Sequence, residues 1–182
     1  LYVAEHFGGV RGPPTKDSPR GDLQPIKREH AKFQAYFNLD NGVGSIRGIY
    51  AQANQAIVPI FRQWVEPFRD LGMTHVSTRM TGSTDHVSFD NAGLPGFQFI
   101  QDPLDYEPKT HHTNMDFFES LQPEDMKRNS VILAGFALLA ANHPGMLPRK
   151  PRASMPRPFP TARWARCRLR RRIFPVARRA MC

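Results

Sequence analysis

Short apolar runs of strand length alternate with longer apolar runs of helical period between residues 33 and 141, and this alternation is the strongest constraint on the fold. Strands are predicted at residues 33–40, 46–52, 75–80 and 96–101. Helical patterns are predicted at residues 54–71 and 123–141, with a short segment at 85–92 between them. This order is typical of an α/β sandwich, in which helices cover a sheet.

The predicted helix after residue 54 is irregular. Asn54 is placed to cap it, and Gly72 is placed to end it, because these residue types favour the two helix termini. Pro59 and Pro67 lie inside the pattern and are expected to kink the helix.

Charge is segregated along the chain. Residues 147–182 hold 12 of the 25 Lys and Arg residues and no acid, which leaves 13 basic against 16 acidic groups in residues 1–146. The terminal segment also has six prolines and no helical or strand period, so it is expected to be disordered. We therefore predict a domain at residues 1–146 and a basic tail at residues 147–182, which a frameshift or an incorrect gene end would also explain.

Other bulk features exclude little. Both cysteines, Cys167 and Cys182, fall in the basic segment and indicate no compartment. No stretch has the roughly 20 apolar residues of a membrane span, and the start lacks the layout of a signal peptide. The first residue is expected to lie inside a longer gene product.

Three polar clusters contain residue types that carry chemistry. Asp40 ends an apolar strand before an Asn-Gly turn, where α/β sheets place ligand-binding groups, although Asp is also an ordinary turn residue. His111 and His112 lie in a polar loop with Asp116. One of these histidines can bind a divalent metal while Asp116 orients a ring or a nearby backbone group, or both can be solvated loop residues.

The third cluster, residues 82–89, combines hydroxyls, a carboxylate and an imidazole in a turn before a helix. Thr84 is a candidate cap for that helix. A Ser-His-Asp nucleophile is not favoured, because sequence neighbours rarely form a triad and no G-x-S-x-G elbow is present.

Four motifs in order and in register resemble the M28 metallopeptidases. They are Tyr36-Phe37-Asn38-Leu39-Asp40, the run from Gly82-Ser83-Thr84-Asp85-His86 to Phe89, Gly93-Leu94-Pro95-Gly96, and His111-His112-Thr113-Asn114-Met115-Asp116. The resemblance covers residues 1–146, and the doubled histidine with Met146-Leu147-Pro148-Arg149 is similar to the carboxypeptidase Q branch. It implies the C-terminal half of a mixed-sheet, helix-flanked zinc exopeptidase domain that acts on peptide substrates.

The resemblance also implies roles for individual residues. The family uses two zinc ions, and motif matching makes Asp40 a terminal ligand of one ion and His112 a terminal ligand of the other. Asp85 matches a carboxylate that makes hydrogen bonds in the active site. Thr84 and Asp116 are expected near the substrate or behind the ligands, and His111 replaces a Tyr that touches the reacting carbonyl.

The remaining ligands and the general-base Glu precede these motifs in the family. Glu5-His6 and Glu29-His30 do not reproduce the family's Glu-Glu pair. A catalytic zinc takes three protein ligands and a water. We therefore expect a C-terminal portion of the domain that is inactive alone, and the resemblance suggests a secreted or periplasmic protein.

Two alternatives remain open. Glutaminyl cyclase shares the fold and similar Asp-His and His-Thr motifs, but uses one zinc. The arginine-rich tail alternatively predicts binding to a nucleic acid or anionic membrane, since such binding is mostly phosphate neutralisation. Residues 1–146 show no nucleic-acid-binding signature that supports this second alternative.

Overall fold

A computed structural model describes residues 2–11, 16–17 and 22–151. The strands are β1 (Tyr36–Asn38), β2 (Ile46–Tyr50), β3 (His75–Ser77) and β4 (Gly96–Gln101), and the α-helices are α1 (Tyr2–Phe7), α2 (Arg28–Lys32), α3 (Val58–Val65), α4 (His86–Asn91) and α5 (Pro123–Ala141). The sheet order is β1-β4-β2-β3. Strand β4 pairs in parallel with β1 and antiparallel with β2, so the predicted mixed, helix-flanked α/β fold is confirmed.

Strand β4 has two chemically different faces because its side chains alternate. Phe97 and Phe99 belong to the main apolar core, whereas Gln98 is fully buried on the opposite face. The bounds predicted for β4 and α5 agree with the structure, but β1 and β3 are shorter than predicted.

Phe136 of α5 is the centre of the main core. Its ring centroid lies between 5.3 and 5.9 Å from those of five other aromatic side chains: Phe37, Phe61, Trp64, Phe68 and Phe99. Ile132 and Ala140 are buried on the same helical face, four residues to either side. Helix α5 therefore packs on one face of the sheet through aromatic contacts.

Among the described residues, no helix combines the length and the apolar character that a membrane span requires.

A smaller aromatic cluster joins α1 and α4 to the other face. Phe89 stacks on Tyr36 at 4.2 Å and on Phe33 at 5.2 Å, and Phe7 meets Phe33 at 4.9 Å. These rings pack α4 against β1, and Asp85 lies in the turn that immediately precedes α4.

The predicted helix after Asn54 consists of three pieces. A 3-10 turn at Gln55–Ile57 precedes α3, and a second 3-10 segment, Glu66–Leu71, follows it. Gly72 ends the last piece with a φ of 90°, as predicted. The predicted Asn54 side-chain cap is wrong, because its Nδ2 donates instead to the carbonyl of Pro148 at 2.7 Å.

Residues 147–150, here called the C-terminal strap, pack against the domain, so the boundary predicted after residue 146 is too early. Leu147 is 1% exposed in the main core, and its amide donates to Gln34 Oε1 at 3.1 Å. Arg149 donates to the carbonyls of His30 and Phe33. Residues 152–182, to which the remaining prediction of a disordered tail applies, lie outside the described part of the chain.

The far end of the strap contains a buried ion pair. Lys150 Nζ lies 2.5 Å from Asp90 Oδ1, and both side chains are less than a tenth exposed. Burial raises the pKa of Asp90, and the ion pair with Lys150 opposes that rise. The strap thus connects the main core, which holds Leu147, with α4 on the other face of the sheet.

Leu147→Ala is expected to lower the free energy of unfolding by about 2–5 kcal/mol, because it leaves a cavity in a packed core. The matched control is Met146→Ala, since the adjacent Met146 side chain is 46% exposed. That change should have an effect of about 0.5 kcal/mol or less. Urea unfolding of the full chain, followed by circular dichroism, measures the free energy of unfolding of both variants. Equal effects of the two substitutions would contradict the packing of the strap against the domain.

Candidate active site

The candidate site lies where β1 and β4 end. Tyr36 pairs with Gly96 and Asn38 with Gln98 in a parallel register, so the carboxyl ends of the two strands share one edge of the sheet. Asp40 follows β1 by two residues, and the segment with His111 and His112 follows β4. Ligand-binding groups in open α/β sheets collect at such an edge.

A π-helical turn, Tyr106–Thr110, organises the segment after β4. The His111 amide donates to the Tyr106 carbonyl at 2.8 Å, and their rings stack at 4.7 Å. Leu104 and His112, on either side of this turn, have φ values of 47° and 56°. Such left-handed conformations of non-glycine residues are costly and concentrate at functional sites.

The raised pKa of Tyr106 indicates which carboxylates lie near this turn. Burial is the largest cause of the rise, and the charges of Asp40, Glu107 and Asp116 raise the pKa further. Asp40 therefore lies close enough to the segment after β4 to act on it electrostatically, although the two are more than 60 residues apart in sequence.

Tyr36, near the start of the same edge, is also affected by the charge of Asp40. Its hydroxyl donates to Asn38 Oδ1 at 3.0 Å. Burial raises the pKa of Tyr36, and the charges of Asp85 and Asp40 add to the rise in that order. Asp40 thus acts on both tyrosines, and Asp85 and Asp116 each act on one of them.

The two predicted metal ligands are not engaged in side-chain hydrogen bonds among the described residues. Neither the carboxylate of Asp40 nor the imidazole of His112 makes a hydrogen bond to another described residue. The rings of the adjacent His111 and His112 are in contact, with centroids 4.0 Å apart. His111 is held by Tyr106 and by Glu107, whose Oε2 lies 3.4 Å from His111 Nδ1.

The turn before α4 presents Asp85 at the surface, whereas the next residue, His86, is fully buried. Thr84 does not cap the helix as expected, because its hydroxyl bonds to His86 Nδ1 and Gln98 Oε1. The His86 ring makes its hydrogen bonds to Thr84, Gln52 and the Thr81 carbonyl, and to no serine. This agrees with the sequence argument against a serine nucleophile.

The described residues do not form a complete metal centre. Within residues 2–11, 16–17 and 22–151, no three His, Cys, Asp or Glu side chains come close enough to hold one ion. Asp40 and His112 therefore offer isolated oxygen and nitrogen ligands rather than a closed site.

Sequence reasoning missed Tyr106 as a member of the site and the buried environment of His86. A usable signal for the second was the repeated polar residue in otherwise apolar strands, Asn38 and Gln98, on the face toward α4. No local signal marked the turn at Tyr106, since its stack with His111 depends on a π-helical turn.

The chain belongs to peptidase family M28, because the family model Peptidase_M28 matches residues 22–137. This confirms the resemblance drawn from the four motifs, all of which lie inside the matched segment. No curated protein matches the chain.

Two solved structures are similar to the chain. A peptidase M28 precursor from Shewanella amazonensis SB2B is 30% identical with a TM-score of 0.52, and the match covers 64% of this chain and 27% of that one. BSAP, a zinc aminopeptidase from Bacillus subtilis, is 24% identical with a TM-score of 0.46 over 64% of this chain and 30% of that one. The matched part therefore spans less than a third of either structure's length.

Asp→Asn substitutions, which remove one negative charge each, can test whether Asp40 acts on both tyrosines. Asp40→Asn should lower the pKa of both Tyr36 and Tyr106, since a nearby carboxylate disfavours a phenolate. Asp85→Asn should lower only that of Tyr36, and Asp116→Asn only that of Tyr106. NMR titration of ¹³C-labelled tyrosines resolves them individually.

Asp70→Asn is the control, because Asp70 is exposed and is not among the charges that act on either tyrosine. It should leave both titrations unchanged. An Asp40→Asn variant that shifts only one tyrosine would place Asp40 outside the shared site.

Proposed function

We propose that the chain is the C-terminal portion of a two-zinc exopeptidase that hydrolyses terminal peptide bonds or dipeptides with a metal-activated water. In this proposal Asp40 ligates one zinc ion and His112 the other. The observation that carries it is the position of Asp40, free of hydrogen bonds to the described residues, at the shared end of β1 and β4 and within the electrostatic reach of Tyr106.

The donor types fit zinc, but their number does not complete a site. A carboxylate oxygen and an imidazole nitrogen are both ordinary zinc ligands. The described residues bring no three such groups together, and in this proposal the remaining ligands would come from outside the described part of the chain. The match to only 27% of the Shewanella chain supports this division of the site.

The chain's own residues would hold the metal ions and orient the groups around them. Asp40 and His112 would hold the metal, Asp85 would place negative charge near Tyr36, and Asp116 would do so near Tyr106. His111, stacked on Tyr106, would present its ring beside His112. When bound, zinc would polarise the peptide carbonyl and lower the pKa of a bound water.

Several finer features belong to the same proposal. The motif after α5 supports a carboxypeptidase Q-like subtype, and the family resemblance supports a secreted or periplasmic location. The general-base Glu would lie outside these 182 residues. Residues 1–182 alone would then hydrolyse no peptide.

The assay compares purified residues 1–182 with the same chain fused behind the N-terminal part of an M28 peptidase domain, each with zinc and a set of dipeptides. We expect turnover only from the fusion, because a zinc-bound water and a positioned base are both required. His112→Ala or Asp40→Ala should reduce that turnover by at least about 10²-fold.

The matched controls are His75→Ala and Asp70→Ala, which remove exposed side chains of the same types that have no hydrogen-bond partner among the described residues. They should retain activity. Equal turnover by the unfused chain, unaffected by His112→Ala, would refute the proposed division of the site.

A further inference from the structure

The C-terminal strap is bound by a buried histidine that has no role in the proposed hydrolysis. His30 belongs to α2 and is 8% exposed. Its Nε2 lies 2.9 Å from the carbonyl oxygen of Ala92, the residue that follows α4. Its Nδ1 lies 2.9 Å from Nη1 of Arg149 in the strap. One imidazole therefore connects α2 with two segments that are more than 60 residues away in sequence.

These two partners fix the position of the proton on His30. A backbone carbonyl can only accept a hydrogen bond, so Nε2 carries the proton and donates to Ala92. A guanidinium can only donate, so Nδ1 is unprotonated and accepts the hydrogen bond from Arg149. The two contacts thus require a neutral imidazole with its proton on Nε2.

The charge of Arg149 makes this requirement strict. Its Nη2 donates to the carbonyls of His30 at 2.8 Å and of Phe33 at 3.0 Å, so its partners are neutral acceptors. Burial lowers the pKa of Arg149, although a guanidinium keeps its proton in proteins. A proton on His30 Nδ1 would remove one acceptor and place a second positive charge against the guanidinium, and like charges in contact repel.

The charged groups on the neighbouring helices do not offset this repulsion. On α2, Glu29 pairs with Lys32 at 2.9 Å, and both side chains are 56% exposed. On α1, Glu5 and His6 are exposed. In the described part of the chain, no carboxylate forms an ion pair with His30 or with Arg149.

The carboxylate of Asp90 on α4 is the other titratable group that holds the strap. It is already paired with Lys150 at 2.5 Å. Its protonation in acid would weaken that ion pair, so an effect of acid on the strap has two candidate sources. A test must separate His30 from Asp90.

We propose that His30 is a pH-sensitive switch for the C-terminal strap. As a neutral imidazole it accepts the hydrogen bond of Arg149 and keeps residues 147–150 on the domain, and its protonation releases them. Arg149 lies between Leu147, which is buried in the main core, and Lys150, which is in the buried ion pair. Loss of the contact at Arg149 therefore loosens the strap on both sides.

The sign of the pH dependence follows from proton linkage. The bound strap excludes a proton from His30 Nδ1, whereas the released strap leaves the imidazole free to take one up. Lower pH favours the state that binds more protons, which is the released state. Release is therefore promoted as the pH falls and is suppressed above the range in which free imidazoles titrate.

Hydrogen exchange of the Leu147 amide measures release, because this amide donates to Gln34 Oε1 at 3.1 Å when the strap is bound. Exchange rates of residues 1–182, corrected for the intrinsic effect of pH, give the opening equilibrium constant. It should rise about tenfold from about pH 7.5 to about pH 5.5, since a free imidazole titrates near about pH 6.5.

Two variants separate His30 from the other titratable groups. In His30→Asn, the side-chain oxygen can replace Nδ1 as the acceptor for Arg149 but does not titrate in this range, so the tenfold rise should be lost. The matched control is His75→Asn, which removes an exposed histidine and should retain the rise. The comparison uses the ratio between the two pH values in each variant, so a uniform change in stability does not affect it.

A rise retained in His30→Asn would assign the response to Asp90 or to general acid unfolding and would overturn the proposal. An unchanged opening constant in the unsubstituted chain would also overturn it. Nitrogen-15 NMR of that chain should show His30 as the neutral Nε2–H tautomer at neutral pH. A proton on Nδ1 would contradict the proposal, and this measurement decides it if His30→Asn does not fold.

Discussion

The candidate site depends on the parallel pairing of β1 with β4, which are separated by nearly 60 residues in sequence. Their parallel register brings Asp40 and the Tyr106 segment to one edge of the sheet. The pairing is held from both faces, by Phe37, Phe97 and Phe136 on one side and by the Asn38–Gln98 hydrogen bond on the other. A slip of one residue would exchange these faces, placing amides in the aromatic core and phenyl rings against His86.

The two faces also divide the functions of the chain. The aromatic face supplies the packing that fixes α3 and α5, and it contains no titratable side chain among its buried members in the described part of the chain. The polar face carries directional bonds that specify one arrangement of the turn before α4, at the cost of a buried unsatisfied donor on Gln98. The strap joins the faces, since Leu147 enters the aromatic core and Lys150 pairs with Asp90 of α4.

Much of this architecture was predictable from local sequence. Strand β4 and helix α5 have strong apolar periods and clear terminal residues, and their bounds were correct. The four motifs identified the family, and Asp40 could be placed at a strand end from its turn chemistry. Failures arose where tertiary contacts override local preference, as at Asn54, whose amide binds the strap rather than the helix it precedes.

The inner arrangement of the site was not predictable in the same way. The contact of His111 with His112 depends on a left-handed backbone at His112 and on the stack with Tyr106. Likewise, the boundary at residue 146 followed the change in composition, whereas the folded contacts continue because Arg149 and Lys150 find buried partners. Composition describes the average of a segment and misses such single contacts.

The most direct test of the account is an anomalous-scattering map at the zinc edge, from crystals of the complete zinc-loaded domain that carries this chain. The account predicts two peaks about 3.5–4 Å apart, one bound by the Asp40 carboxylate and the other by the His112 imidazole. Zinc bound without either side chain, or side chains of Asp40 and His112 on opposite faces of the sheet, would contradict it.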